Sequence, residues 1–409
     1  MLIRQYMKNH IVLTEYDYIF EGSKDKEGNR AIDKKSFKEI ESFVLKNLDV
    51  VSFLKIGQDK NHKFIKAQNY VGVIQTRSGT TIEILPKISD ADENIENSRK
   101  TLLKMLKTLK KSPFKNFNMA HLKSTKLPLF EIFIEMFLEE LSTLVQKGIK
   151  SEYITKKSNL RFLKGKLLIK NQIKYNSIHK ERFFVEYQDY LSDRVENRLI
   201  KTTLKLLYKK SKSNRNRQRI REFLFVFDEV SFSKDIKRDF SKVNLDRQMR
   251  YYEQTLLWCK TFLLENSFSP YKGKDVAFAL LFDMNQLFES YVGVYLKNRC
   301  KNVSLQDMGK HLVDEPKKFA LRPDIVIRSK NKTIIADTKW KKIENEKDIS
   351  QADMYQLYAY AKKYKSKRVY LIYPKYRKDQ PKLKYSFCKD DEVFLRVLYF
   401  DLEKDLIKV

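Results

Sequence analysis

Cysteine and histidine are scarce in this sequence, and neither has the spacing of a metal or disulfide motif. The 409 residues include three cysteines and five histidines, all far apart, with no CxxC pair. These counts argue against a disulfide framework and against a zinc ribbon. They are typical of a protein that folds in a reducing compartment, so we expect a cytoplasmic location.

Long apolar runs are also missing. No stretch approaches the roughly 20 consecutive apolar residues that a membrane-spanning helix requires. The first residues, MLIRQYMKNHIVLTEYDYIF, lack the apolar core of a secretion signal. We therefore expect a chain that does not work inside a membrane.

Acidic residues are fewer than basic residues in this sequence. The chain has 83 lysines and arginines against 52 acidic residues, which gives a formal net charge of +31. Such a surface usually binds polyanions, with nucleic acid as the first candidate and an anionic membrane surface as the second. The densest cluster lies between Leu204 and Arg221, which contains eight basic residues and no acid. This cluster is either a solvated helix face or a patch that contacts DNA phosphates.

What the chain does contain predicts a folded protein of three regions. Hydrophobic residues make up 42% of the sequence, which is enough for packed cores. We predict a β-containing N-terminal domain in residues 1–120, a mainly helical middle region in 121–265 and an α/β domain in 266–409. The overall fold class is α/β, or α+β for the three regions together. The second boundary falls in the stretch 265–275, which carries proline, glycine and serine.

A hairpin and several helices are predicted in the first two regions. Tyr70–Ile88 contains two β-rich runs around a Ser-Gly turn signal. Ser36–Leu48 predicts a helix in which Ser36 and Glu39 have the spacing of a capping box. Apolar residues at helical spacing predict two long helices. These are Leu127–Ile149 and Tyr190–Lys210.

The third region alternates helices and strands, which predicts a mixed sheet flanked by helices. In chain order, the predicted elements are a helix at about 277–299, a short strand near Asn302–Gln306, a hairpin in Arg322–Ile343, a helix at about 348–364, a strand at Arg368–Pro374 and a β-rich stretch from Lys382.

The predicted hairpin gathers charged residues at its open end. Asp324 begins the first apolar run, DIVI, and Asp337 and Lys339 close the second, TIIADTK. Side chains alternate along a strand, so Asp337 and Lys339 point the same way. Antiparallel pairing of the two runs brings Asp324 close to Asp337. The simpler interpretation is that charged residues end these strands because they face water.

Two carboxylates and an ammonium group at one sheet edge suit Mg²⁺ chemistry. Mg²⁺ takes one or two carboxylates, several waters and a substrate phosphate. It lowers the pKa of bound water and holds the phosphate. We predict Asp324 and Asp337 as metal ligands, with the carbonyl of Thr338 as a further ligand. Lys339 would orient the attacking water or offset charge on the phosphorus.

Two neighbouring helices offer further polar groups. Glu289 lies beside the apolar stripe of the helix before the hairpin, from which it could reach the metal. Gln356 lies beside the apolar face of the helix after the hairpin, where it could bind the water or a phosphate. The alternatives are a solvated glutamate and a glutamine that hydrogen-bonds the sheet.

The order of these residues resembles a known family. A helix acid, then PD, then DxK, then a helix with glutamine is similar to the PD-(D/E)xK nucleases. The stretches FDMNQLFESYV, LRPDIVI, IIADTKWK and DMYQLYAYA resemble the McrC subunits of McrBC restriction systems. Three upstream stretches are similar as well, so the resemblance runs from about Tyr70 to Tyr373. They are YVGVIQTRSGTTIEILPKI, NLRFLKGKL and YQDYLSDRVENRLIK.

The resemblance implies a fold, an activity and partners. It implies a restriction-endonuclease-like C-terminal domain that hydrolyses double-stranded DNA with Mg²⁺. It also implies a partner, a McrB-like AAA+ GTPase ring, into which the N-terminal part docks and whose GTP hydrolysis it stimulates. The chain has ten glycines and no GxxxxGK[ST] motif, so GTP would be bound by the partner. Arg77, near the tip of the N-terminal hairpin, could act as an arginine finger or be an ordinary exposed turn residue.

Two other functions remain open at this point. One is a non-catalytic adaptor that binds DNA or activates a GTPase on a decayed nuclease fold. The other is a stand-alone DNA repair nuclease of the same superfamily.

Overall fold

The structure is a computed structural model of the chain. It describes residues 10–22, 30–47, 52–59, 62–88, 95–110, 112–115, 127–264, 276–329, 332–377, 379–387 and 392–408. The chain forms two compact units, one from Met1–Phe130 with Ser267–Val409 and the other from Glu131–Asn266. The three-region division of the sequence stays a prediction, and its boundary stretch 265–275 lies outside the described residues. Among the residues described, no helix is both long and apolar enough to cross a membrane.

Two four-stranded sheets and two helices form the N-terminal part of the first unit. The first sheet has the order β1-β7-β6-β11, with β1 parallel to β7 and the other pairs antiparallel. The second sheet has the order β3-β2-β5-β4. The elements are β1 (His10–Thr14), β2 (Tyr18–Glu21), β3 (Ala31–Ile32), α1 (Lys34–Asn47), β4 (Leu54–Asp59), β5 (His62–Ala67), β6 (Tyr70–Thr76), β7 (Thr81–Leu85), α2 (Ile95–Leu106) and β11 (Val276–Asp283).

The predicted N-terminal hairpin is confirmed. Strands β6 and β7 pair antiparallel, from Gly72 opposite Ile84 to Gln75 opposite Thr81. Gly72 has a φ of +139°, and a Cβ there would lie 2.0 Å from the carbonyl oxygen of Leu280. Only glycine therefore allows β11 to approach this closely.

The predicted capping box of α1 is wrong. The helix begins at Lys34, and Asp33 accepts hydrogen bonds from both the backbone nitrogen and the hydroxyl of Ser36. Aspartate is a preferred N-cap because its carboxylate satisfies a free helix N–H. Glu39 instead accepts a hydrogen bond from the backbone nitrogen of Arg77 at 2.7 Å, and so holds the β6–β7 turn.

The second unit contains helices and one small antiparallel sheet, of order β8-β10-β9. The first predicted long helix is confirmed as α3, which ends just before Gly148, a residue with a φ of +93°. The second begins later than predicted, at Val195, because Phe183–Leu191 pairs with β8 instead. The elements are α3 (Leu129–Gln146), β8 (Glu152–Leu160), β9 (Lys166–Leu167), α4 (Ile169–Asn176), β10 (Phe183–Leu191), α5 (Val195–Lys210), α6 (Asn214–Val226), α7 (Ile236–Lys242), a 3₁₀ turn (Arg247–Tyr252) and α8 (Glu253–Leu263).

The C-terminal part of the first unit is the predicted mixed sheet. Its order is β12-β15-β16-β17-β19-β18, with β16, β17 and β19 parallel and β20 also paired to β19. A separate hairpin joins β13 and β14. The elements are α9 (Met284–Arg299), β12 (Val303–Leu305), β13 (Lys310–Val313), β14 (Lys318–Leu321), β15 (Ile325–Ser329), β16 (Lys332–Thr338), a 3₁₀ turn (Glu346–Asp348), α10 (Gln351–Tyr364), β17 (Arg368–Pro374), β18 (Lys384–Ser386), β19 (Phe394–Asp401) and β20 (Leu406–Lys408).

One predicted element in this part is wrong. The sequence predicts a helix at about 277–299, but Val276–Asp283 is strand β11 and the helix begins at Met284. The run VAFALLF before Asp283 is apolar throughout, a pattern that a buried strand and a buried helix share. Asp283 ends the strand and caps the helix, since its side chain accepts from the backbone nitrogen of Asn285 at 2.8 Å.

Helices cover both faces of the mixed sheet. On one face, Leu357 and Tyr364 of α10 share a core with Leu371 of β17. On the other, the rings of Phe288 and Tyr295 of α9 pack edge-on against Phe400 of β19. The two helices that carry Glu289 and Gln356 therefore pack on opposite faces of the sheet that contains the β15–β16 hairpin.

Candidate active site

The hairpin of β15 and β16 brings the two predicted aspartates together. The strands pair antiparallel, with Ile325 opposite Ala336, so Asp324 stands opposite Asp337 one step further on. The backbone nitrogen and the hydroxyl of Thr338 both donate to Asp324 Oδ2, each at 2.8 Å. These two bonds fix the orientation of the Asp324 carboxylate.

Lys339 lies against Asp337. Its Nζ is 2.8 Å from Asp337 Oδ2, and the Asp337 side chain is only 2% exposed. The contact is an ion pair without hydrogen-bond alignment, since Asp337 Oδ2 has no well-aligned hydrogen bond in the part of the chain that the structure describes. The backbone nitrogen of Lys339 donates to the carbonyl oxygen of Ile372 of β17 at 3.0 Å, which holds the residue at the end of strand β16.

Asp353 belongs to the same cluster, and the sequence reasoning missed it. Its Oδ1 lies 3.7 Å from Lys339 Nζ. Asp353 stands on α10 three residues before Gln356, so both residues share one helix face. The spacing of Asp353 from Gln356 was the sequence feature that could have identified Asp353 as a site residue.

The electrostatics of the cluster disfavour ionised carboxylates. Burial raises the pKa of both Asp324 and Asp337; the charge of Glu289 adds to the rise at Asp324, and that of Asp324 adds to it at Asp337. Burial likewise raises the pKa of Glu289. Burial alone would lower the pKa of Lys339, but its carboxylate neighbours, Asp337 first, outweigh burial and raise it. A divalent cation would relieve this accumulation of negative charge.

Glu289 lies in an open cleft of about 530 Å³ that also exposes Asp324. Gln306 Nε2 donates to Glu289 Oε1 at 2.8 Å, and Arg322 Nη2 donates to Gln306 Oε1 at 2.5 Å. Arg322 and Gln306 line the same cleft, and sequence reasoning missed both. Arg322 stands two residues before Asp324. This closeness in sequence was the only local feature that indicated that Arg322 lies near the site.

Among the described residues, Gln356 makes no hydrogen bond to the carboxylates of the cluster. It is exposed, and its Nε2 donates to the hydroxyl of Tyr360 at 2.6 Å. Tyr360 is buried, and burial, together with the charges of Asp337 and Asp324, raises its pKa. Gln356 is therefore one side chain removed from the cluster, and its role in orienting water stays a prediction.

The residues fit a magnesium ion. No three Asp, Glu, His or Cys side chains among the described residues form a ready-made metal site. Mg²⁺ does not need one, because it keeps several waters and takes one or two protein carboxylates with the substrate phosphate. A buried Asp337 oxygen without an aligned hydrogen bond, opposite an anchored Asp324, would provide those two ligands. The predicted contribution of the Thr338 carbonyl stays a prediction.

Arg77 lies at the β6–β7 turn and is exposed. Its backbone, like that of Ser78, is held by Glu39. Its role as an arginine finger stays a prediction.

A buried contact ties the residue after Lys339 to the N-terminal sheet. The indole nitrogen of Trp340 donates to both carboxylate oxygens of Glu15, at 3.0 and 2.9 Å. The backbone nitrogen of Lys87 also donates to Glu15, at 3.1 Å. Burial raises the pKa of Glu15 to about 8. Sequence reasoning missed this contact because 325 positions separate the two residues.

Replacing Glu15 by glutamine is expected to change how stability depends on pH. A raised pKa means that Glu15 contributes most to stability at low pH, and that its contribution is lost as pH rises from about 4.5 towards about 8. The neutral amide of Glu15→Gln does not ionise. The melting temperature of the variant should therefore rise relative to the parent between pH 5 and pH 8. Glu403→Gln, which alters an exposed acid, should show no such trend; a constant difference at all pH values would contradict the prediction.

Comparison with protein-family models identifies the chain as a component of a restriction system. A family model described as the McrBC 5-methylcytosine restriction system component matches residues 65–374, well over half of the chain. The chain therefore belongs to the McrBC component family. No curated protein matches it.

Two solved structures from Thermococcus gammatolerans share the fold. A refined half-complex from a tetradecameric assembly of McrB AAA+ hexamers with bound McrC contains a chain with a TM-score of 0.72 and 20% identity, covering 96% of this chain and 94% of that one. A cryo-EM structure of the McrBC complex contains a match with a TM-score of 0.52 and 23% identity, covering 71% and 88%. The predicted α/β fold class and the resemblance to McrC are confirmed.

Proposed function

We propose that this chain is the nuclease subunit of a GTP-dependent, modification-dependent restriction complex of the McrBC type. In this proposal it hydrolyses phosphodiester bonds of double-stranded DNA with Mg²⁺, in the cytoplasm. The observation that carries the proposal is the meeting of Asp324, Asp337 and Lys339 at one end of the β15–β16 hairpin. Family membership and the shared fold support it.

We assign a separate chemical role to each side chain of the site. Asp324, oriented by Thr338, and the buried Asp337 would hold the metal, with Glu289 as a further ligand from the cleft. Mg²⁺ supplies charge neutralisation at the phosphate and acidifies water. Lys339 places a fixed ammonium beside Asp337, where it can orient the attacking water and stabilise the extra negative charge that develops on the phosphate. Arg322, exposed in the same cleft, can hold the DNA backbone in place.

The proposed partner is a McrB-like AAA+ GTPase ring. The larger structural match is a chain from an assembly of McrB AAA+ hexamers with bound McrC. This chain has no P-loop motif, so GTP would be hydrolysed by the partner. We propose that the N-terminal part docks the ring and stimulates its GTPase, with Arg77 as the candidate finger.

Reconstitution tests the proposed function. The purified chain is mixed with its AAA+ partner, GTP, Mg²⁺ and DNA that is either methylated or unmodified, and products are resolved on a gel. Cleavage that needs Mg²⁺, GTP and the partner supports the proposal. Stimulated GTPase activity without cleavage of any DNA would instead favour the adaptor. Efficient cleavage by the chain alone would favour the stand-alone nuclease.

Magnesium alone should stabilise the chain. A ligand that binds only the folded state adds about 1.4 kcal/mol when present at about ten times its Kd, so the melting temperature should rise with Mg²⁺. Asp337→Asn should remove most of this rise. The raised pKa of Asp337 also means that its ionised form disfavours folding above that pKa, so without metal the variant should melt no lower than the parent at pH 8.

An exposed acid provides the control for the magnesium experiment. Asp314 is 79% exposed and pairs with Lys363. Asp314→Asn should keep the full response to Mg²⁺. An equal loss of response in both variants would show that the ion acts through general surface charge and not through the proposed site.

A further inference from the structure

A second cleft lies on the mixed sheet, on the face away from Asp337. Asp337 is level with Leu371 on the neighbouring strand, and Leu371 belongs to the core under α10. Side chains alternate along a strand, so Tyr370 points to the opposite face. The cleft has a volume of about 510 Å³ and is lined there by residues of β17, β18 and β19.

Strand register places six side chains of this cleft in two rows. Arg368 pairs with Phe394, which pairs with Ser386. Tyr370 pairs with Arg396, which pairs with Lys384. Residues that pair across neighbouring strands share a face of the sheet. The result is a compact surface with three cations and two aromatic rings.

The charges of this surface are not balanced within it. Among the residues that the structure describes, the lining of this cleft includes no carboxylate. In the portion of the chain that is described, the side chains of Arg368, Lys384 and Arg396 make no ion pair. Like charges on adjacent strands repel one another, and an anionic ligand would reverse that cost.

The aromatic residues of this cleft indicate which kind of anionic ligand it binds. Phe394 is 55% exposed, although it stands between a cation and a serine on the sheet surface. A phosphate alone gains nothing from an exposed phenyl ring. An unpaired nucleobase can stack on such a ring while its phosphates contact nearby cations, which is how single-stranded nucleic acid is bound. A volume of this size is also within the range of small-ligand sites.

We infer that this cleft, formed by Arg368, Tyr370, Lys384, Phe394 and Arg396, binds a short single-stranded nucleic acid segment. One base stacks on Phe394, and the three cations contact the backbone on either side. This site lies outside the proposed cleavage chemistry, and binding at it needs neither Mg²⁺ nor the AAA+ partner.

Fluorescence anisotropy with a labelled 12-nucleotide oligothymidylate tests this site on the full chain in EDTA, so that no cleavage occurs. Loss of one stacking base typically weakens binding by about tenfold. Phe394→Ala is expected to show a loss of that size for the single strand and little change for a duplex of equal length. Lys384→Glu should weaken binding of the single strand more strongly, because it places a carboxylate among the cations.

Two variants outside the cleft serve as matched controls. Phe319→Ala removes a phenylalanine that is 71% exposed on β14, and Lys317→Glu reverses the charge of an exposed lysine two residues before it. Both should bind the oligonucleotide like the parent, and all variants are checked for an unchanged melting temperature. If Phe394→Ala binds normally, or if control and cleft variants lose affinity equally, the assignment is overturned. It is also overturned if the single strand and the duplex lose affinity equally. None of these outcomes bears on whether the chain cleaves DNA with its partner.

Discussion

Lys339→Ala is expected to reduce DNA cleavage by the reconstituted complex by about a thousandfold or more. A positioned acid–base group contributes about 10²–10⁴ in rate, and a charge that stabilises the transition state contributes about 10²–10³. The ammonium of Lys339 is placed for either role by its ion pair with Asp337. Asp337→Ala should be at least as damaging, because it removes a proposed metal ligand. The measurement is the single-turnover cleavage rate at saturating partner and GTP.

The same two variants should leave the GTPase unaffected. Both residues belong to the mixed sheet, whereas the proposed ring contact lies in the N-terminal part. Lys341→Ala is the matched control, since Lys341 is an exposed lysine two residues further on, whose Nζ donates to the carbonyl of Asp348. It should cleave at the parental rate. Retained cleavage in Lys339→Ala, or loss of both activities with an unchanged melting temperature, would contradict this division of roles.

Arg99→Leu is expected to destabilise the N-terminal sheet by about 3–5 kcal/mol, the usual cost of leaving one partner of a buried ion pair alone. Glu83 of β7 is buried completely. It accepts from Arg99 Nε at 2.5 Å and Nη2 at 2.9 Å, and from the backbone nitrogen of Leu129 at 3.3 Å. His10 Nε2 lies 3.1 Å from it. Leucine cannot replace the donors that Glu83 loses.

Urea unfolding, followed by circular dichroism, measures the decrease in the free energy of unfolding that Arg99→Leu causes. Burial alone would raise the pKa of Glu83, but hydrogen bonds from His10 and Arg99 outweigh burial and lower it. Its contribution is therefore present above the pKa of the unfolded chain and is lost as pH falls through the folded value. The double variant Glu83→Leu with Arg99→Leu should recover part of the loss, because no buried charge is left unpaired.

An exposed neighbour controls for changes in helix surface. Lys100 follows Arg99 on α2 and is exposed. Lys100→Leu should change the free energy of unfolding by no more than about 0.5 kcal/mol. An Arg99→Leu variant as stable as Lys100→Leu would show that the Glu83 cluster is not a major source of stability.

The local sequence pattern was sufficient to predict the hairpin of β15 and β16. The runs DIVI and TIIAD are β-rich and joined by a short polar stretch, so pairing, register and the closeness of Asp324 to Asp337 follow from sequence. Strand β11 was mistaken for helix because its apolar run has neither period. The contact of Glu15 with Trp340 joins elements 325 positions apart, so it depends on tertiary packing that no local window contains. Asp353 is close to Lys339 in sequence, and only its spacing from Gln356 indicated that it belongs to the site.

Strand β11 also limits how the chain can be divided. It lies in the second half of the sequence, yet it completes the first sheet beside β6 and runs directly into α9, the helix that carries Glu289. A fragment that stops near residue 265 would leave β6 with an open row of backbone donors and acceptors. Open edges of this kind invite pairing with other molecules. Expression of the N-terminal half by itself should therefore give aggregates, whereas a fragment extended through residue 300 retains the closing strand.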